Sequence, residues 1–344
     1  MNNKNKILII KLEALGDVLR TTSLLPALKE KYKNSSIIWL TSQEAAPLLF
    51  NNSFIDKIHQ LNSTTRKKIT KESFNLIINL DEDLKACQLA SQIKGKIIGP
   101  YSSSNQIIYT VDSREWFDMG LISRFGKEKA DQLKEKNKKS YPQMLVNMIG
   151  TEFNKDRDRP QMILDKKEKD FGQNFLKNNN ISRNRLIIGL NTDAGEKWSA
   201  KKISVAKTVR LAEDLVKEFD AQIISLSESW KKRNQEIIKR SKINLIDSGS
   251  NDLRRFATVV NLCDLVISSD SLVLQIAIAL GKKNISFFGP TPAVEIETYG
   301  LGEKIIPPVD CHFCYRHRCK FKEGCLEKLD NQLFINAAKR VLNT

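Results

Sequence analysis

KILIIKLEALGDVLRTTSLLPALKEKY, residues 6–32, is the stretch from which the fold class follows. Its first six residues are a nearly unbroken apolar run, the signature of a strand buried on both faces of a parallel sheet. Gly16 can supply a tight turn, and Asp17 stands beside it near the start of a helix. From Thr21 to Tyr32 the apolar residues Leu24, Leu25 and Leu28 share one helical face. Strand, glycine turn and helix in this order open a Rossmann-like unit.

The alternation continues outward. Strands are predicted at 37–42, 75–82 and 96–102, the last running into a turn, with helices at 47–50 and 85–93. Residues 103–160 lose the pattern and become basic, above all GKEKADQLKEKNKKS at 126–140, which reads equally as a solvated helix face or as a contact surface for an anion. A second series places strands at 185–193, 221–227, 243–249, 264–270 and 284–290, with helices at 204–219, 252–263 and 272–281. Two such halves predict an α/β protein built from two Rossmann-like domains facing a central cleft, residues 1–170 and 171–325, followed by a C-terminal helix at 326–344. The hinge is expected within the polar residues 160–185.

Composition agrees with this organisation. A chain of 344 residues is too long for one ordinary core. At 41% hydrophobic and 28% charged residues it is not a mostly disordered chain. No window holds the roughly 18 uninterrupted apolar residues of a spanning helix. The short apolar run at the N-terminus, followed at once by Glu13 and Asp17, does not read as a signal peptide, so a cytoplasmic protein is expected. The formal charge of +16 points to anionic partners.

In doubly wound domains ligands sit beyond the carboxyl ends of the strands. There Asp17 reads either as a general base for a hydroxyl or as a helix cap. The absence of Gly-x-Gly-x-x-Gly makes a dinucleotide-dependent dehydrogenase an unsuitable reading. The loop after the first strand of the second half carries Thr192, Ala194 and Gly195, then Lys197, Lys201 and Lys202. Lysines gathered at a helix start suit a phosphate, against the plainer reading of a solvated loop. Asp270 and Ser271 end another strand, where the free N–H groups of Ser271 and Leu272 suit a second phosphate unless the two residues merely cap the helix. Two such sites in one domain imply a diphosphate, hence a nucleotide or nucleotide-sugar.

Of six cysteines, Cys87 and Cys263 lie in apolar surroundings and read as buried small hydrophobes. Cys311, Cys314, Cys319 and Cys325 form Cys-x2-Cys-x4-Cys-x5-Cys, a set suited to tetrahedral structural zinc or iron, with His312 and His317 as spare ligands. Reduced, unligated thiols are the alternative.

Four blocks taken together, ILIIKLEALGDVLRTTSLLPALKEKY, LNTDAGEKWSAKKIS, LRRFATVVNLCDLVISSDS and ALGKKNISFFGPTPA, resemble the successive signature blocks of the heptosyltransferases, glycosyltransferase family nine, in that family's order. The resemblance implies a GT-B fold with the donor held mainly by the C-terminal domain and the acceptor by the N-terminal one. It also implies inverting transfer from a nucleotide-sugar, ADP-heptose in the type members, without a required catalytic metal. By resemblance, Gly16 and Asp17 match the block holding the family's base, Lys201 the donor-phosphate lysine and Thr192 the small hydroxyl position. Glu228 falls near the family's acidic residue on the ribose. Asp270, Ser271 and Leu272 stand at the family's Asp-Thr-Gly, and Gln275 stands where the family has histidine. Leucine for glycine adds bulk, and glutamine for histidine keeps a donor without the capacity for positive charge. Ile203 replaces a usual tryptophan.

The segment containing Arg124, Lys127, Lys129 and Lys134 resembles an acceptor-side region of some members. The implied acceptor is an anionic lipopolysaccharide-core glycolipid reached from the inner face of the membrane, where positive charge would favour peripheral contact. A protein acceptor, as in the autotransporter-modifying branch, is one alternative, and a non-catalytic anion or nucleic-acid binder is another. Basic residues without an interleaved aromatic groove argue against nucleic acid.

Overall fold

The computed structural model describes residues 4–195, 197–227 and 232–343. The chain divides into two compact units, Met1–Met162 with Val294–Glu297, and Ile163–Ala293 with Thr298–Thr344.

In the first unit, β1 (Asn5–Ile10), β2 (Ser35–Thr41), β3 (Lys57–Gln60), β4 (Ser73–Asn79) and β5 (Lys94–Ile98) form a parallel sheet of order β3-β2-β1-β4-β5. Ile7 of β1 pairs with Ile37 of β2 and with Leu76 of β4. Ile7, Leu8, Ile9 and Ile10 are all buried, as a central strand covered on both faces requires. Each such side chain contributes about 1.5–3 kcal/mol by leaving water. A hairpin of β6 (Pro100–Ser103) and β7 (Gln106–Tyr109) turns at Ser104 and Asn105, both at positive φ as a tight hairpin turn demands. Gly99, before it, has φ +107°, and a Cβ there would lie 1.9 Å from the Asn79 carbonyl oxygen, so only glycine fits.

The helices are α1 (Leu15–Thr21), α2 (Leu24–Lys31), α3 (Ser63–Ile69), α4 (Leu84–Gln92), α5 (Arg114–Phe117), α6 (Lys127–Lys136) and α7 (Tyr141–Met148). The single helix predicted for 21–32 is thus two. Pro26 has no N–H for the Thr22 carbonyl, so α1 ends in a turn and α2 restarts with the proline in its first turn. The short polar edge strand β3 and helix α3 were not legible as apolar periodicity, because β3 has no fully buried residue and α3 buries only Ile69. The basic stretch at 126–140 is chiefly α6, of which only Ala130 is buried.

The second unit repeats the plan with β8 (Ile187–Asn191), β9 (Gln222–Ser225), β10 (Leu245–Asp247), β11 (Leu265–Ser269), β12 (Lys283–Phe287) and β13 (Gly302–Ile305), all parallel in the order β10-β9-β8-β11-β12-β13. Its helices are α8 (Lys166–Asn178), α9 (Val205–Phe219), α10 (Lys232–Arg240), α11 (Leu253–Leu262), α12 (Leu272–Ala279) and α13 (Asn331–Asn343). Both orders reverse beside the first strand, at β1/β4 and β8/β11, the switch points where ligands bind in such sheets.

Two boundaries drawn from sequence shift. Residue 170 lies inside α8, which Asp165 and Glu168 start with a reciprocal capping box, and α8 belongs to the second unit. Its Glu168 pairs with Arg254 of α11, and Gly172 sits where a Cβ would be 3.0 Å from Thr258. The C-terminal helix is likewise part of this unit's core, with Phe334 packed edge-on against Phe287 at 5.6 Å. Among the described residues no helix is long and apolar enough to cross a membrane.

Candidate active site

Each switch point assembles its own set of polar side chains. In the first unit Lys11 follows directly on β1, and β4 leads into Asp81. The Lys11 ammonium lies 2.5 Å from Asp81 Oδ1, and Asp81 Oδ2 accepts the Leu12 N–H at 2.5 Å, with both side chains buried. Burial works to lower the Lys11 pKa, but Asp81, aided by Asp17 and Tyr141, reverses this and holds it above the ordinary lysine value. Burial pushes the Asp81 carboxyl upward against the same lysine, so the raised lysine value favours its charged form and the raised acid value its neutral one. With two donors on the carboxylate, the ion pair is the state that the geometry favours.

The β1–α1 loop carries Ala14 at φ +60°, a strained value for a residue with a Cβ, and from there Gly16 and Asp17 enter α1. Asp17 makes no side-chain cap, because the residue at the cap position is Ala14. Its Oδ1 instead lies 3.0 Å from Arg20 Nε, and the side chain keeps 38% of its surface exposed. The Arg20 guanidinium stacks 3.9 Å over the Tyr141 ring, and Trp116 meets Tyr141 edge-on at 4.8 Å. Arg20, Tyr141 and Trp116 escaped the sequence reading because they come from separate elements. Glu82, next to Asp81, has its pKa raised by burial, opposed by the Leu121 N–H and Lys11.

The four basic residues singled out on the acceptor side do not form one surface of free charges. Arg124 forks onto Asp118 at 3.0 and 3.2 Å. Lys127 and Lys134 both face Asp131 of the same helix. Lys129 is exposed and makes no ion pair among the described residues.

In the second unit the loop after β8 and the start of α12 converge. Lys201 Nζ lies 2.7 Å from Asp270 Oδ2, which also accepts the Thr291 hydroxyl at 2.7 Å. The two side chains are 13% and 18% exposed. Lys202 pairs with Asp193 at 2.8 Å. Ser271 caps α12 with extended backbone, and its hydroxyl accepts from Asn191 at 2.9 Å instead of capping. The first-turn N–H groups of α12, Leu272 included, have no helical acceptors of their own. Leu272 and Gln275 are buried, and the Gln275 side-chain amide makes no hydrogen bond among the described residues, although its backbone N–H donates to Ser271.

Three other sequence candidates stand differently. Thr192 turns its hydroxyl inward to Thr208 at 2.7 Å and to Arg233 at 3.2 Å. The space left beside them is about 10 Å³, room for about one water. Burial lowers the Arg233 pKa. Lys197 is exposed and makes no ion pair among the described residues. Glu228 lies outside the described residues.

Cys87 and Cys263 are fully buried, and burial raises each thiol to about 12, which makes them inert packing groups. The other four cysteines are free thiols near one another: burial and then Cys319, Cys311 and Cys314 push the Cys325 thiol upward. His312 Nε2 is buried without a partner. This donor set suits zinc or iron, yet no group of three or more ligating side chains stands in an ion-holding arrangement among the described residues. The His317 ring lies edge-on to Trp198 at 4.3 Å.

Comparison with known proteins matches this geometry to a family. The profile of glycosyltransferase family 9 (heptosyltransferase) covers residues 63–324. Lipopolysaccharide heptosyltransferase 1 of Campylobacter coli is 24% identical over 296 residues, 84% of this chain and 85% of that protein. The fold is similar to the glycosyl transferase family 9 structure from Veillonella parvula, with TM-score 0.76 at 15% identity over 100% of this chain and 98% of that one. It is also similar to E. coli ADP-heptose lps heptosyltransferase II, with TM-score 0.67 at 17% identity over 98% of both chains. The fold is therefore α/β of GT-B type. With the profile spanning most of the chain, including β8, β11 and the Lys201–Asp270 pair between them, the protein belongs to the heptosyltransferases of glycosyltransferase family 9 and is a glycosyltransferase.

Proposed function

We propose that this enzyme transfers heptose from ADP-heptose, with inversion, to a lipopolysaccharide-core acceptor. The observation that carries the reading is the cradle at the second switch point, where Lys201 is held by Asp270 at the start of α12, whose first-turn N–H groups have no acceptor within the helix. Aligned amides and one oriented ammonium suit the diphosphate of a nucleotide-sugar. The names of the similar proteins, a lipopolysaccharide heptosyltransferase and an ADP-heptose enzyme, favour heptose and lipopolysaccharide.

Asp17 is the proposed base. Its carboxylate is accessible and is oriented by Arg20 rather than consumed as a cap. The acceptor hydroxyl gives its proton to Asp17 while its oxygen forms a bond to the anomeric carbon on the face opposite the diphosphate. The bond from that carbon to the phosphate oxygen breaks, and its electron pair leaves with ADP. Lys201 and the α12 amides stabilise the charge that develops on ADP, so the reading requires no catalytic metal. The four cysteines, with zinc or iron, are proposed to staple the 311–325 loop. A net charge of +16 supports peripheral attraction to an anionic membrane face.

The test is thermal unfolding with ADP, UDP, GDP and ADP-heptose, followed by turnover on a lipopolysaccharide core lacking heptose. A ligand at about a hundred times its dissociation constant stabilises by about 2.7 kcal/mol. A rise confined to adenine compounds with heptosylated core as product supports the proposal. A rise with another base replaces the donor, product on protein only replaces the acceptor, and no rise at all favours a non-catalytic role.

A further inference from the structure

Lys201 sits on a poor foundation. The segment from Lys197 to Lys202 has no helix or strand beyond the three-residue turn Ser199–Lys201, and a lysine stem has many rotamers to lose when held. Besides Asp270, its support comes from the Cys-rich loop, through one residue. The His317 ring meets the Trp198 indole edge-on at 4.3 Å and 72°. The same indole lies 4.6 Å from Lys201 Nζ, within cation–π range. The His317 carbonyl oxygen also accepts the Ala200 N–H at 3.0 Å and the Ser199 hydroxyl at 3.2 Å. Trp198, Ser199 and Ala200 are thus tied to His317, and Trp198 carries the tie on to Lys201.

The loop that carries His317 is itself docked beside Lys201's partner. Tyr315 donates its N–H to the Pro290 carbonyl at 2.8 Å, and the adjacent Thr291 donates to Asp270. Gly289 lies where a Cβ would be 3.2 Å from both Cys325 Sγ and the Ala200 carbonyl oxygen. One loop therefore braces both the lysine and the strand end holding its carboxylate.

We propose that His317 is a positioning residue for the donor: its ring fixes Trp198, and Trp198 in turn sets where Lys201 presents its ammonium to a nucleoside diphosphate. This rests on Lys201 being the diphosphate contact. The function of the Cys-rich loop then extends past stapling, because its fold determines donor affinity.

Trace acetylation of the full-length protein, with mass spectrometry of Lys201 relative to exposed Lys197, reads the positioning without reference to activity. Calorimetry with ADP reads its consequence. His317→Ala removes the ring but keeps the carbonyl, and is expected to raise Lys201 reactivity severalfold. Loss of an edge-on ring contact and a weakened cation–π contact predicts ADP affinity lower by about threefold to tenfold. The donor KM should rise and kcat should fall with it, because Lys201 also stabilises the charge on the departing diphosphate, and His317→Phe should restore these readouts. Asp270→Asn, which frees Lys201 directly, calibrates the acetylation signal. Unchanged Lys201 reactivity in His317→Ala overturns the proposal, and so does raised reactivity with unchanged ADP affinity. Failure of the wild-type protein to bind ADP defeats the donor reading instead, while the acetylation ratio still decides whether His317 holds Lys201.

Discussion

Lys201 Nζ lies 2.7 Å from Asp270 Oδ2, although the two residues are 69 positions apart in sequence. The carboxylate holds the lysine next to the start of α12, while Thr291 holds the carboxylate. A diphosphate, with more negative charge and more acceptor oxygens, is the stronger partner for that ammonium.

Lys201→Ala should therefore lower turnover on the order of 10²–10³-fold, the range for removing one stabiliser of transition-state charge. Lys201→Arg should recover only part of this, since a planar fork does not replace a point charge held over Trp198. Steady-state kinetics with ADP-heptose check both, and turnover within twofold of wild type in Lys201→Ala removes the lysine from the mechanism.

Asp17→Asn should lower turnover on the order of 10²–10⁴-fold, the usual worth of a general base. The side chain is exposed and caps nothing, so unfolding should shift little. Single-turnover measurement with bound donor separates the chemical step from binding. Unaltered chemistry would assign the base elsewhere, with Glu82 as the next carboxyl to examine.

Lys11→Met leaves Asp81 charged and buried and should cost about 3–5 kcal/mol, measured by urea unfolding. Lys11→Met with Asp81→Leu should recover much of that loss, because no orphan charge remains. A double variant as unstable as the single one would mean that Asp81 acts chiefly through the Leu12 N–H.

His59, half-buried on β3, has its pKa lowered from 6.5 by burial, then by Lys57 and Lys68. Folding thus favours the neutral ring: stability is full above 6.5 and falls as pH drops through the lower folded value. His59→Gln should flatten the stability curve between about pH 7 and 5. Parallel curves for the two proteins would show that this histidine is not the group responsible.

For the cysteine cluster, metal analysis of protein purified without chelator should find about one equivalent of zinc or iron. Cys319→Ser with Cys325→Ser should abolish it and lower ADP affinity in the same direction as His317→Ala. Metal-free wild-type protein with full ADP affinity would leave the four residues as ordinary reduced thiols.

The doubly wound architecture was legible because its signals are local. Apolar runs such as residues 6–11 and 264–269, each ending in a turn and a helix, need no partner to be recognised. The same locality pointed to Asp17, Lys201 and Asp270, since strand ends are where such sheets place ligands. It failed where the pattern is weak, at polar edge strand β3, and where one residue breaks a helix, at Pro26.

Partnerships were not legible, because each is a contact between distant positions. That Asp81 would answer Lys11, that Arg20 would stack over Tyr141, and that Arg233 would occupy the Thr192 hydroxyl depend on strand order and helix docking. The chain's own letters sufficed for strands and turns, which follow from short-range periodicity and backbone freedom, and for the family, through the resemblance of its signature blocks. Which charges are paired and which loop steadies Lys201 followed only from the fold, since distance between segments is a property of packed elements and not of any one segment.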